Sequence, residues 1–325
     1  MKVLPAAAGA IVVAASMVLA PAHAAQDPPR FASLTLENDF FAGYDQHYTN
    51  GVQLAVLADV QAFPRGLREL PPFAWSDDPQ AVIAIGQRIY TPANTDIDPP
   101  DPHDRPYAGW LYLMSDVRTR SVGTIDHLTL AAGVVGPASG AHDAQDIVHR
   151  ALGEARSKGW ESQVRNKATF MAGFERAWPS VAAGSLYGNA WDASVRAGVN
   201  AGSPLTYANA GMVLRYGRNL PQDLPVTHIS LGPPRDGFRG SRAPGWYVWT
   251  GFDAHALAYN AFVEGATYRG GQSLERVPYG HDVQVGVALA WPTMRVGFTW
   301  VQRSREFEGQ AAADRFGQLA FSFAY

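Results

Sequence analysis

The sequence predicts an all-β protein, a twelve-stranded antiparallel transmembrane β-barrel with a short extracellular loop helix. Three observations lead there. Segments alternating between apolar and polar or small residues recur from residue 31 to the end of the chain. After residue 24 no segment approaches the ~18 consecutive apolar residues that a membrane-spanning helix needs. The opening residues carry the pattern of an export signal.

That opening pattern fixes the expected compartment. Lys2 supplies a positive start, Val3 to Ala20 form an almost unbroken apolar stretch, and Ala22-His23-Ala24 offers small residues at the two positions that a signal peptidase reads. Cleavage is expected after Ala24, leaving residues 25–325 as a single barrel domain in the outer membrane of a Gram-negative envelope. An uncleaved anchor is the alternative, and Pro21 followed at once by the Ala-x-Ala site argues against it. The chain has no cysteine, which removes disulfides, thiolate metal sites and a lipid-modified cysteine. A formal net charge of -3 without a basic run makes nucleic acid a poor partner.

Strands are expected at 31–37, 48–58, 81–90, 107–117, 124–135, 168–178, 186–200, 206–217, 245–258, 279–291, 294–307 and 316–325. Most come near the ~9–11 residues that a tilted strand needs to cross a bilayer. In the last, Leu319, Phe321, Phe323 and Tyr325 share one face, while small or polar residues occupy the other. Val283, Val285, Val287 and Leu289 alternate with Asp282, Gln284 and Gly286, and Trp191, Val195 and Val199 with Asp192, Ser194, Arg196 and Asn200. Leu128 and Leu130 alternate with His127 and Thr129. Period two is the strand signature, and a charged inner face suits a barrel lumen better than a dry sandwich core.

One segment departs from this pattern. Ala144, Ile147, Val148 and Ala151 recur at helical spacing and predict a helix over 144–152, capped by Asp143 or Ser139 and stopped at Gly153. His142, Gln145 and His149 fall on a different face of it. An even strand number puts both termini on the periplasmic side. The connections holding Glu37-Asn38-Asp39, His103-Asp104-Arg105 and the His149 helix are then all extracellular. His228 and Ser230 belong to the opposite rim.

On that extracellular rim Asn38, Asp39, Asp45, Thr49 and Asn50 offer hard oxygen ligands, which suit calcium far better than zinc. An imidazole such as His149 titrates near neutrality and is the natural proton acceptor. A metal-polarised carbonyl attacked by water that His149 activates would hydrolyse an ester without a protein nucleophile. The same residues also suit plainer roles, since Asn and Asp after a strand serve turns and a helix histidine can simply be solvated.

Glu37-Asn38-Asp39-Phe40-Phe41, followed by Asp45 and Tyr48-Thr49-Asn50-Gly51, resembles the opening motif of the outer-membrane lipid A deacylase family. Asp104-Arg105-Pro106-Tyr107-Ala108-Gly109-Trp110 matches a second block of that family, and Gly133, Gly136-Pro137, Gln145, His149, Gly153, Gly159-Trp160 and Gln163 a third. The resemblance implies a twelve-stranded barrel that removes the 3′-linked acyloxyacyl group from lipid A, the membrane anchor of lipopolysaccharide, with calcium as cofactor. It further implies Asp39 as the calcium-binding carboxylate, Asn38 and Thr49 as supporting site residues, and His149 as general base.

Two departures from the family stand out. Residues 89–104 lack the lysine that some members use to hold substrate, so Arg88 or Arg105 is the expected replacement. Glu154 lies one place from where an acid follows the histidine in some members. Asp104 and Arg105 would equally form a salt bridge with each other, Tyr107 and Trp110 are expected in the interfacial aromatic belt, and His142 is expected to be solvated or to pack on the helix. Two rival readings are a phospholipase using His228 and Ser230, and a non-enzymatic pore or adhesin with a structural ion.

Overall fold

The computed structural model describes residues 31–42, 47–58, 69, 79–153, 155–221, 241–265 and 273–324. The expected signal peptide, Asp45, Glu154, His228, Ser230 and Tyr325 lie outside these. Twelve strands form one closed antiparallel barrel: β1 Phe31–Asn38, β2 Tyr48–Ala58, β3 Gln80–Tyr90, β4 Ala108–Ser121, β5 Thr124–Val135, β6 Lys167–Leu186, β7 Asn189–Ser203, β8 Leu205–Arg218, β9 Gly245–Asn260, β10 Tyr279–Ala290, β11 Met294–Arg303 and β12 Asp314–Ala324. Each strand pairs with its neighbours in sequence, and β1 closes on β12 with Phe31 opposite Ala324 and Asn38 opposite Gly317. Closure leaves no unpaired strand edge to desolvate in lipid.

Alternation sorts the side chains as lipid and lumen demand. Ile85, Leu113, Leu130, Val195, Leu214, Val248, Val285, Leu289 and Phe323 are exposed on the outer wall, while Thr129, Asp192, Gln284, Gln318 and Ser322 are buried inside. The interior is filled by paired polar groups. Arg215 meets Asp192, Arg303 meets Asp282 and Arg196 meets Asp253. Toward the extracellular end the filling turns aromatic: Tyr90 stacks on Phe262 with ring centroids 4.2 Å apart, and Trp110 packs tilted against Tyr112 at 4.3 Å.

Several boundaries differ from expectation, and three of them do so for clear local reasons. β6 runs eight residues beyond 178 because pairing with β7 resumes after a bulge between Trp178 and Ala182. Pro179, which has no N–H, and Ser180 at φ 52 occupy that bulge, and a break in alternation there mimics a strand end. β11 stops at Arg303, after which the chain turns over the barrel mouth and buries Glu306 and Phe307. The helix, α1, spans Ala141–Leu152, so it starts three residues early. Its N-cap is Gly140 in the left-handed region, and no side chain caps it. Ser139 instead donates to the carbonyl oxygen of Gly136 at 2.6 Å. Gly153 ends the helix as expected, at φ 76.

Tyr107 and Trp110 are not belt aromatics. Both are fully buried, Tyr107 against Trp160 at 4.7 Å and Trp110 in the lumen donating to Thr169 Oγ1 at 3.0 Å.

Candidate active site on the outer wall

Cross-strand register builds the site. Glu37 points into the lumen, where it accepts a short hydrogen bond from the Tyr48 hydroxyl, so Asn38 points outward. Asn38 sits opposite Asn50, Asn50 opposite Ile89, and Ile89 opposite Gly109. These four positions make one outward row along the extracellular rim. At its β4 end α1 lies against the outer wall, where Ile89, Tyr107, Ala141 and Trp160 form a small apolar cluster. At its other end a 3-10 turn, Asp39–Ala42, folds over Gly317 of β12. Only glycine fits under either element. A Cβ on Gly109 would lie 2.2 Å from Ala141 Cβ and from Ser139 Oγ, and one on Gly317 would lie 2.5 Å from Phe41 Cβ. The site is therefore a cleft on the lipid-facing side of the rim, walled by two elements. Phe40, 69% exposed, and Phe41 project beside it.

Asn38 and Asp39 are adjacent and would face opposite ways in a regular strand. β1 ends at Asn38, and the turn that follows reverses this. The Phe40 N–H donates to Asn38 Oδ1 and to Asp39 Oδ1, each at 2.8 Å, so both oxygens converge on one amide. Asn38 Nδ2 in turn donates to the Thr49 carbonyl oxygen at 2.7 Å. Thr49 is the extra residue of a bulge between Tyr48 and Asn50, and its hydroxyl meets that of Thr91 at 2.7 Å. Asn38, Asp39 and Thr49 thus form one cluster, and Asp39 is buried within it.

This cluster fits a hard cation in kind: a carboxylate, an amide oxygen, a hydroxyl and nearby main-chain carbonyls, with no sulfur. Among the described residues no three His, Asp or Glu side chains converge.

His149 lies on the face of α1 that carries Ala141 and Gln145, both buried toward the wall. Gln145 accepts from Trp160 Nε1 at 2.7 Å, which ties α1 to the far end of its loop. His149 Nδ1 is 2.6 Å from the Ala155 carbonyl oxygen. A carbonyl only accepts, so Nδ1 is the donor here, and the neutral tautomer compatible with this contact has its lone pair on Nε2. His142 stacks on Trp160 at 5.5 Å with its side chain half exposed, as a packing residue does.

The two expected substrate arginines are turned away from this cleft. Arg88 is a lumen residue, 1% exposed, paired with Glu37 at 4.0 Å and surrounded by tyrosines. Arg105 is fully buried in the barrel mouth, paired with Glu306 and lying 5.2 Å from the Tyr90 ring centre. Nor does Arg105 bridge to Asp104, which reaches His47 instead.

His47 is the residue that sequence reasoning missed. Its Nδ1 lies 2.7 Å from Asp314 Oδ1 and its Nε2 2.9 Å from Asp104 Oδ1, so both nitrogens donate and the ring is an imidazolium. Burial opposes that charge, but the bonds to the two carboxylates outweigh it and lift its pKa to about 9. Asp104, despite its own desolvation, is held below the usual carboxylate range by the same ring. The ring thereby clamps two loops to the start of β12, two residues before Thr49.

A family model described as outer membrane protein LpxR matches residues 10–325. Comparison with curated proteins returns no match. Among solved structures, LpxR from Salmonella typhimurium matches with a TM-score of 0.74 at 16% identity, over 90% of this chain and 99% of that one. The β domain of the Bordetella autotransporter BrkA matches with a TM-score of 0.42 at 8% identity, over 91% and 99%.

Proposed function

Because the chain belongs to the LpxR family of outer membrane proteins, the lipid A deacylases that its motifs resemble, we propose that it removes the 3′-linked acyloxyacyl group from lipid A by calcium-assisted hydrolysis with His149 as general base. The observation that carries this reading is the pairing of His149 with the Ala155 carbonyl, on a helix packed at the β4 end of the same outward row of positions whose β1 end holds the Asn38–Asp39–Thr49 cluster. The cleft opens toward lipid, so a lipid A molecule of the outer leaflet would enter sideways, its acyl chains staying in the hydrocarbon.

His149 Nε2 takes a proton from water as the water oxygen attacks the 3′ ester carbonyl carbon. The tetrahedral intermediate expels the sugar alkoxide, which receives that proton from His149. The products are a free 3′-hydroxyl and the acyloxyacyl carboxylic acid, with one water consumed. Asp39 and the Asn38 amide oxygen would hold calcium, which when bound supplies positive charge to the ester carbonyl oxygen. Thr49 fixes Asn38 through its carbonyl, and the Ala155 carbonyl keeps the His149 ring in the basic tautomer. No seryl or cysteinyl nucleophile is required.

The test is mass spectrometry of lipid A incubated with the purified protein in detergent. Loss of one acyloxyacyl group is expected, abolished by exhaustive chelation and restored by added calcium. Full activity in a verified metal-free sample removes calcium from the reaction, and release of glycerophospholipid chains instead favours the phospholipase reading.

A further inference from the structure

We propose that Lys158 reads a phosphate of the lipid A headgroup and so determines specificity, an inference that rests on the lipid A reading above. A phosphorylated glycolipid brings its anionic groups to the membrane surface, where the cleft lies, and cations of the protein must meet them there. Arg88 and Arg105 cannot, being buried and paired inside the barrel. Five cations remain on the described loop that carries His149 and at its foot. Arg150 bonds back to the Asp146 carbonyl at 3.1 Å, and Arg156 pairs with Asp146 at 3.3 Å. Lys167 is engaged by Tyr259 at 3.3 Å. Lys158 and Arg165 are left, exposed and without an acidic partner among the described residues.

Their placement separates these two. Lys158 sits where the loop after β5 is stitched to the loop after β3, with its N–H donating to the Thr95 carbonyl oxygen at 2.7 Å. Ser157 before it and Trp160 after it are buried. A Cβ on Gly159 would lie 3.1 Å from Pro100 Cδ, so the two loops are in close contact there. The root of Lys158 is therefore fixed, while its ammonium stands in solvent. It follows by three residues Ala155, whose carbonyl holds the His149 ring, and three residues span at most about 10 Å. Arg165 instead lies at the foot of the loop, where its main chain packs against Gly136. A lysine in that position acts as a mobile point charge, suited to a phosphate whose exact placement varies with acylation.

The experiment measures 3′-deacylation kinetics on lipid A with both phosphates, on lipid A lacking the 1-phosphate and on lipid A lacking the 4′-phosphate. Lys158→Ala should raise KM about tenfold on the doubly phosphorylated substrate, with kcat within about twofold, as loss of one charge-assisted contact would. On one of the two monophosphorylated forms it should change nothing, and Lys158→Arg should restore most of the loss. Arg165→Ala should behave as wild type. Equal effects on all three substrates, an unchanged KM, or the same phenotype from Arg165→Ala overturns the assignment. If the wild-type protein releases no acyl group, the deacylase reading fails. Lys158 is then judged by binding of the same three lipids, where equal retention by wild type and Lys158→Ala overturns it.

Discussion

Replacing Gly109 with alanine tests whether the outer-wall position of α1 matters for catalysis. The added Cβ would lie 2.2 Å from both Ala141 Cβ and Ser139 Oγ, whereas ordinary contact begins at 3.4 Å. The helix start must therefore retreat by about 1 Å from β4. A misplacement of that size at a catalytic group costs about 10²-fold in rate. Gly109 is in a regular strand whose pairing alanine also tolerates, so the barrel itself should survive. Heat-modifiable migration of the purified variant checks the barrel, and initial rates of lipid A deacylation report the helix. Gly297→Ala is the control, since its nearest neighbours would be 3.7 Å away and nothing needs to move. A folded Gly109→Ala protein with wild-type rates would refute the argument, because either the helix adapts at no cost or His149 is not where the chemistry happens.

His149→Ala should cost about 10²–10⁴-fold in turnover, the usual worth of a general base, in a barrel that still folds. His142→Ala and His228→Ala should stay within a few-fold of wild type, and a dead His228→Ala would return the phospholipase reading. His47 gives a pH dependence. Its pKa of about 9 against an ordinary 6.5 is worth about 3 kcal/mol of folded-state preference for the charged ring. A raised pKa contributes stability that is complete below pH 6.5 and disappears as pH rises through about 9. The difference in unfolding free energy between wild type and His47→Gln, followed by tryptophan fluorescence in micelles, should therefore shrink across that window. A difference that is constant with pH would mean that the clamp does not depend on the charge of the ring.

How much of this was legible follows from what each part answers to. The strands were legible because lipid and lumen impose opposite chemistry on alternate residues, and Gln318, Ala320 and Ser322 against Leu319, Phe321 and Phe323 show both demands within one segment. Arg88 was readable in principle: it alternates with outward Ile83, Ile85 and Gln87, so its inward direction follows from the strand period that found β3. The His47 clamp was not, because its partners, Asp104 and Asp314, are 57 and 267 residues away and meet it only when the barrel closes. The cleft itself left a subtler mark. An outward position of a barrel strand ordinarily carries a large apolar side chain toward lipid. Gly109 and Gly317 break that rule at the same rim, and each marks a place where another part of the chain, rather than lipid, covers the wall. A glycine in the outward register near the end of a strand is thus a signal for an element packed on the outside. Here it points to the two elements that carry Asp39 and His149.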